Sequence, residues 1–128
     1  MPVKHVLSLD GGGSHLLIQL SVLACLEEDA GTSSYDLFDM MAGSSSGGLI
    51  TCLIMGRRIS AKEIIRLIEQ DQLLKRIMNE NWLNRLFNKL QIRPKYQGKP
   101  KRLTLQQELG HLRLSSLNKR ILIPCFNL

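Results

Sequence analysis

The fold is decided by a short glycine- and serine-rich stretch, Gly43-Ser44-Ser45-Ser46-Gly47-Gly48. One apolar run precedes it at residues 37–42, and a second follows at residues 49–55. A buried strand, a tight turn between glycines and a buried helix are the setting of a G-x-S-x-G nucleophile elbow. Small neighbours are needed there because the turn is sharp and backbone approaches backbone closely. The pattern predicts Ser45 as a nucleophile at the apex of the turn.

Other glycine-rich motifs fit this stretch less well. Clusters of serine and glycine are common in plain loops, but a plain loop does not account for the strand and helix on either side. A phosphate-binding P-loop has Lys and then Ser or Thr after its second glycine, whereas Leu49 and Ile50 stand there in this chain. The flanking pattern therefore favours the elbow.

A second glycine-rich motif lies near the N-terminus. An apolar strand runs into Asp10, three consecutive glycines follow at residues 11–13, and a helix comes next. Consecutive glycines allow successive backbone N–H groups to converge on one anion. That anion is either a phosphate or the oxyanion formed when a nucleophile attacks an acyl carbon. A Rossmann dinucleotide site fits poorly, because its third glycine would have to stand at Leu16.

The two motifs, in this order and at this spacing, resemble those of the patatin-like phospholipases. That family opens with a strand, the motif Asp-Gly-Gly-Gly-x-Arg/Lys-Gly and a helix, and later carries Gly-x-Ser-x-Gly on an elbow. Further stretches that look like the family lie at residues 60–65, 95–100 and 121–124. The resemblance covers nearly all of the chain.

The resemblance implies an α/β fold, with three layers (α/β/α) and a mainly parallel sheet. Residues 1–128 would be the N-terminal part of one such domain. The implied activity is that of a phospholipase A-type lipid acyl hydrolase that needs no cofactor or metal ion, and its substrate would be a phospholipid or another lipid ester. Ser45 would be the nucleophile. The oxyanion hole would be formed by the backbone amides of Gly11, Gly12, Gly13 and Ser46.

The chain departs from the family pattern at three positions. His15 and Leu16 replace the basic residue and the last glycine of the first motif. His15 is a candidate auxiliary residue, either as an oxyanion donor or as a substitute base. The family pairs its serine with an Asp in a late Asp-Gly-Gly/Ala segment, but the only Asp-Gly pair here is Asp10-Gly11. We therefore expect a truncated domain that is weakly active or inactive alone. The alternative is a non-catalytic remnant that binds a membrane or a protein.

Charge is divided between the two halves of the chain. Residues 1–55 carry one base and six acids, a net charge of −5, whereas residues 56–128 carry sixteen bases and five acids, a net charge of +11. A basic half favours an anionic surface as partner. We expect a membrane rather than nucleic acid. An apolar stripe with flanking bases at residues 82–102 is the predicted docking segment, although such stripes also cover protein cores.

No apolar run is long enough to span a bilayer, and the N-terminus lacks a signal peptide pattern. We therefore expect a cytoplasmic protein, with peripheral membrane association. Cys25, Cys52 and Cys125 all lie in apolar segments and are predicted to be small core residues.

The apolar pattern also predicts the order of the secondary structure. Alternating strands and helices indicate βαβ units and a parallel sheet. Residues 16–28 are apolar nearly all round, so this helix is expected to lie against the sheet. Residues 32–34 are expected to be loop, and Ser60 to cap a helix. Strands are predicted at residues 3–9, 37–42 and 120–126, and helices at residues 16–28, 46–55, from 61 on, 82–90 and 103–109.

Overall fold

The computed structural model describes residues 2–70, 106–107 and 109–125. In this part of the chain, three strands form one sheet in the order β1-β2-β3. Both neighbouring pairs are parallel, which confirms the predicted parallel α/β fold. Each strand is shorter than predicted. Their bounds are Val6–Leu9 for β1, Met40–Gly43 for β2 and Arg120–Leu122 for β3.

Helices connect and cover the strands. The α-helices before the undescribed segment 71–105 are α1 Leu16–Ala30, α2 Ser34–Leu37, α3 Ser46–Thr51 and α4 Ala61–Gln70. Shorter turns accompany them: a 3-10 turn at Gly13–His15, a π-helical turn at Cys52–Gly56 and a 3-10 turn at Leu114–Ser116. The predicted helix 82–90 and docking segment 82–102 lie outside the described residues, as does most of the predicted helix 103–109.

A short helix replaces part of a predicted loop. Ser34 was expected in a loop, but it is the first residue of α2. Ser33 explains the difference, because its hydroxyl accepts a hydrogen bond from the Asp36 N–H (3.3 Å) and donates one to the Asp36 carboxylate (2.8 Å). A serine that accepts from an N–H group in the first turn is a helix N-cap. The predicted cap at Ser60 is confirmed, since its hydroxyl accepts from the Glu63 N–H (3.2 Å).

One core joins the sheet to the helices. The register pairs Leu7 with Met41 and Met41 with Ile121, so these residues share one face of the sheet. α3 contacts β1 and β2 directly, and α1 packs chiefly on α4 and α3. On the opposite face of the sheet, Val6 is 61% exposed and Leu122 is 58% exposed. The buried core consists of Leu9, Leu16, Leu20, Leu23, Tyr35, Met41, Ile50, Leu53, Ile54, Met55, Ala61, Ile64 and Ile68.

Helix α1 corrects a prediction, because it packs mainly on other helices rather than on the sheet. The side-chain-free positions Gly47 and Gly48 let α3 take the place nearest the strands. α1 buries a single stripe, and Ile18 on another side is 66% exposed. None of the described helices is both long and apolar enough to cross a membrane.

The cysteines also differ from the prediction of three core residues. Cys25 and Cys125 are exposed, and Cys52 is half-buried. Apolar neighbours in the sequence did not reveal this, because Cys25 lies on an outward side of α1 and Cys125 follows the end of β3. Burial, with a smaller effect of the nearby Cys125, raises the pKa of the Cys52 thiol. Cys52 therefore stays protonated at neutral pH and is a poor nucleophile.

Asp39 ties the start of β1 to the start of β2. Its carboxylate accepts hydrogen bonds from the His5 N–H and from Lys4 Nζ, both at 2.9 Å. Its own N–H donates to the His5 carbonyl at 2.8 Å. The His5 N–H, and after it the Lys4 ammonium, holds the pKa of Asp39 below its usual 3.8.

We expect Asp39→Asn to lower the melting temperature slightly at pH 7 and to have no effect in acid. A carboxyl group whose pKa falls on folding stabilises the fold above its unfolded pKa. That contribution is lost as the pH falls through the lower folded pKa. Thermal melts of both proteins at pH 7 and at several values below 3.8 test this, with Asp29→Asn as the control. A difference that persists unchanged into acid would contradict it.

Candidate active site

Ser45 occupies a strained turn between β2 and α3. Its backbone has φ 49° and ψ −117°, a conformation that costs a residue with a side chain about 1–3 kcal/mol. The Gly47 N–H donates to the Ser44 carbonyl at 2.9 Å and closes the turn. Ser45 itself is exposed at the apex. Strand, strained turn and helix thus follow one another around Ser45 in the order that the sequence predicts.

Two glycines permit this turn because backbone atoms occupy the space that a side chain would need. A Cβ atom on Gly43 would lie 2.3 Å from the Gly47 carbonyl oxygen. A Cβ atom on Gly47 would lie 2.4 Å from the Leu9 carbonyl oxygen. Neither distance is possible between real atoms, and no flexible side chain is involved that could move away. The spacing of the two glycines thus follows from the contact of the turn with itself and with β1.

The three serines of the turn differ in what their hydroxyl groups contact. Ser44 Oγ accepts a hydrogen bond from the Gly11 N–H at 2.9 Å. Ser46 Oγ is buried and has no partner among the described residues. Ser45 is the exposed member, and its hydroxyl makes no hydrogen bond within the described part of the chain. Ser45 is therefore the serine best presented to a substrate.

The glycine-rich loop lies beside this turn, although the two are 33 residues apart in sequence. A Cβ atom on Gly11 would lie 3.1 Å from Ser45 Cβ. The loop continues into the 3-10 turn, where the His15 N–H donates to the Gly12 carbonyl at 3.2 Å. The N–H groups of Gly12 and Gly13 have no acceptor among the described residues. The loop that carries these two amides thus begins, at Gly11, in contact with the turn that presents the exposed Ser45.

His15 follows the three glycines at an exposed position. Its ring lies against the loop, with Nδ1 3.0 Å from where a Cβ atom on Gly12 would be. Within the described residues, no hydrogen bond joins His15 to Ser45. Nor does any group of three or more His, Cys, Asp and Glu side chains in the described chain have the arrangement of a metal site.

Two further polar residues at this site were not predicted. One is Ser44, which bonds to Gly11 as described above. The other is Gln19, whose side-chain amide donates to the Asp10 carbonyl at 2.9 Å. A hint was available for Gln19, because it is a polar residue that follows three apolar ones at the start of α1. Its partner nine residues away was not visible from periodicity.

Comparison with known proteins assigns the chain to a family. The family model described as patatin-like phospholipase matches residues 7–127. Patatin-like protein 2 of rice (Oryza sativa subsp. indica) is 32% identical over an alignment that covers 96% of this chain and 34% of the rice protein. A cGAMP-activated phospholipase of Pseudomonas aeruginosa is 30% identical over 99% of this chain and 37% of the bacterial protein.

A shorter match is to an animal enzyme. The 85/88 kDa calcium-independent phospholipase A2 of the rat is 41% identical over 51 residues, which is 40% of this chain and 6% of that protein. This chain spans about a third of the length of the full-coverage relatives. The family match over nearly all residues, together with the glycine-rich loop and the strained serine turn, shows that the chain belongs to the patatin-like phospholipase family.

Proposed function

We propose that this chain carries the nucleophile and the oxyanion-binding loop of a lipid acyl hydrolase of the phospholipase A type. The observation that carries the proposal is the exposed Ser45 at a strained apex beside a loop with free amide donors. Relatives whose names are phospholipases support a phospholipid or another lipid ester as the substrate.

In the proposed reaction, Ser45 Oγ attacks the ester carbonyl carbon. A C–O bond forms to the serine, and the carbonyl oxygen becomes an oxyanion that needs hydrogen-bond donors. As the tetrahedral intermediate collapses, the ester C–O bond breaks and the alcohol leaves with the proton that came from the serine. Water then hydrolyses the acyl-serine and releases the fatty acid.

One hydrogen bond supports a choice among the candidate donors for that oxyanion. Four amides were predicted, but the Gly11 N–H already donates to Ser44 Oγ. The proposal therefore assigns the oxyanion to the amides of Gly12 and Gly13, with the Ser46 amide on the elbow side. Gly11 has a supporting role in the loop.

The chain alone is proposed to be a slow enzyme. A serine hydroxyl is a weak nucleophile at neutral pH unless a base takes its proton. No described side chain bonds to the Ser45 hydroxyl, and the family's late Asp-Gly-Gly/Ala segment is not found in these 128 residues. Losing one member of a serine catalytic unit costs several orders of magnitude, while an oxyanion hole retains roughly 10³–10⁴-fold catalysis over water.

We expect a fluorophosphonate probe to label the purified chain at Ser45, and Ser45→Ala to remove the label. Turnover of p-nitrophenyl butyrate should be slow and should also be lost in Ser45→Ala. Peptide mapping by mass spectrometry identifies the labelled serine. Ser115→Ala, which removes an exposed serine from the turn before β3, is the matched control and should label like the wild type.

Two results would reject this assignment. One is a label on Ser44 or Ser46 that survives in Ser45→Ala. The other is a folded wild-type chain that takes up no probe and turns over no ester, which would favour the alternative of a non-catalytic remnant. Rapid turnover that depends on Ser45 would support the nucleophile but contradict the slow rate.

A further inference from the structure

The entrance to the glycine-rich loop is held by hydrogen bonds from two different elements. The Asp10 carbonyl accepts from Gln19 Nε2 on α1 at 2.9 Å. The Gly11 N–H donates to Ser44 Oγ at the end of β2, also at 2.9 Å. These two groups belong to the same peptide unit. Because that unit is planar and trans, its C=O and N–H point in opposite directions. The Asp10–Gly11 peptide is thus held by one hydrogen bond at its carbonyl and another at its N–H.

We propose that Gln19 and Ser44 are positioning residues that orient the amides of Gly12 and Gly13 toward the oxyanion. This inference rests on the proposed function of Ser45. The two side chains and the Asp10–Gly11 peptide are called the peptide clamp below. Neither side chain of the clamp is assigned a contact with substrate. Each acts through the backbone of the loop.

A glycine-rich loop needs such a clamp because its backbone is otherwise soft. Glycine has access to more φ and ψ values than any other residue, so three in a row lose much entropy when they are ordered. Oxyanion donors work well only when they are already aimed at the developing charge. Fixing the Asp10–Gly11 peptide plane anchors the start of the loop, and so limits how far the N–H groups of Gly12 and Gly13 can turn away.

Ser44 also bonds on the other side of Asp10. Its N–H donates to the Leu9 carbonyl at 3.2 Å, and its hydroxyl accepts from the Gly11 N–H. The residue next to the proposed nucleophile is therefore bonded both to the last residue of β1 and to the first glycine of the loop. A shift of the loop relative to Ser45 would break the bond to Gly11.

The Gln19 side chain donates one hydrogen bond to the loop but leaves its other polar atom unpaired. Its Oε1 atom is buried and has no hydrogen-bond partner among the described residues. An unpaired buried acceptor is unfavourable, and a nonpolar side chain at this position would avoid it. The side-chain amide is oriented so that Nε2 faces the Asp10 carbonyl. The hydrogen bond from Nε2 to the Asp10 carbonyl is the favourable interaction that offsets this cost.

The test compares the rate at which Ser45 reacts with a fluorophosphonate in clamp variants of the full chain. Ser44→Ala removes the acceptor, and Gln19→Met removes the donor with little change in length. We expect each to lower the maximal labelling rate about tenfold, since oxyanion donors misaligned by a small amount lose part of their effect. The concentration of probe giving half-maximal rate should stay the same, because the clamp does not touch the probe.

Three controls separate positioning from general damage. Ser44→Thr keeps a hydroxyl group and should restore the wild-type rate. Ser14→Ala removes a nearby exposed hydroxyl outside the clamp and should have no effect. The double variant should be slower than wild type by much less than the product of the two single effects, because either change alone releases the same peptide. Thermal melts show whether each variant is folded.

The hydrogen exchange rate of the Gly11 amide, measured by NMR, provides a readout independent of labelling. It should rise in Ser44→Ala and return to the wild-type value in Ser44→Thr. The clamp would be overturned if both folded single variants labelled at the wild-type rate, or if the exchange rate of the Gly11 amide did not change in Ser44→Ala. Labelling of Ser45 in the wild type would still support the proposed function in that case. A wild-type chain that does not label at Ser45 would reject the proposed function instead, and the catalytic role of the clamp with it.

Discussion

Gly47→Ala is expected to destabilise the whole domain strongly, not merely the candidate site. A Cβ atom at this position would lie 2.4 Å from the Leu9 carbonyl oxygen and 2.9 Å from the Asp10 carbonyl oxygen. To make room, α3 would have to move away from the end of β1. Overpacked sites typically cost 1–3 kcal/mol and sometimes more, so we expect a loss of at least about 3 kcal/mol when the contact is with backbone. Such a loss is a large share of the 5–15 kcal/mol that stabilises a typical protein.

Urea and thermal unfolding of the purified variants measure this effect. Gly43→Ala should behave in the same way, because its Cβ atom would lie 2.3 Å from the Gly47 carbonyl oxygen. Gly56→Ala is the matched control: there a Cβ atom would meet the end of the Leu112 side chain at 3.2 Å, and that side chain can move. We expect a change within about 0.5 kcal/mol for the control. If Gly47→Ala unfolded at the same urea concentration as Gly56→Ala, the contact with β1 would not be essential.

The parts of the fold that the sequence predicts well are those in which residue type dictates backbone geometry. The turn at Ser45 belongs to this class, because glycines at fixed spacing have few other uses between a strand and a helix. The parallel order of the strands was predicted from the alternation of strands and helices along the chain. The strand ends were less predictable. β1 begins at Val6 rather than Val3, since its partner strand begins only at Met40, just after the Asp39 bonds to His5.

Features that depend on which way a helix faces could not be predicted from composition. Residues 16–28 are apolar on nearly every side, so their pattern does not choose a buried stripe. The structure chooses Leu16, Leu20 and Leu23, and leaves Cys25 exposed. Contacts that join distant polar residues are a second such class. The bond between Gly11 and Ser44 forms only after β1 and β2 have paired in register.

The acidic end of α1 shows how such a contact changes the interpretation of a sequence. Glu27, Glu28 and Asp29 stand in the last turn, where the helix dipole disfavours negative charge. The Glu27 carboxylate, however, accepts a hydrogen bond from the Ser34 N–H at 2.8 Å and from the Ala61 N–H at 3.0 Å. Those are the first residues of α2 and α4. One carboxylate thus accepts hydrogen bonds from the N-termini of two other helices, where negative charge is favoured.

The two capped helices share the same arrangement. In each, the first N–H group donates to Glu27, and the N–H two residues later donates to the helix's own serine cap. The second bonds run from Asp36 to Ser33 and from Glu63 to Ser60. The free N–H groups at a helix start are otherwise unsatisfied or left to water. Glu27 therefore links α1, α2 and α4 through groups that each helix needs to have bonded.

We expect Glu27→Ala to lower the free energy of unfolding by about 2 kcal/mol, since each lost capping bond costs roughly 1 kcal/mol. For a domain of this size the melting temperature should fall by roughly 8 °C. Glu27→Gln keeps one acceptor oxygen and should fall between the wild type and Glu27→Ala. Glu28→Ala removes a neighbouring exposed acid and should leave stability unchanged. Equal melting temperatures for Glu27→Ala and Glu28→Ala would mean that the two Glu27 bonds replace bonds to water with no gain in stability. Melting temperatures that fall from wild type to Glu27→Gln to Glu27→Ala would show that this carboxylate, although unfavourable for its own helix, stabilises the N-termini of two other helices.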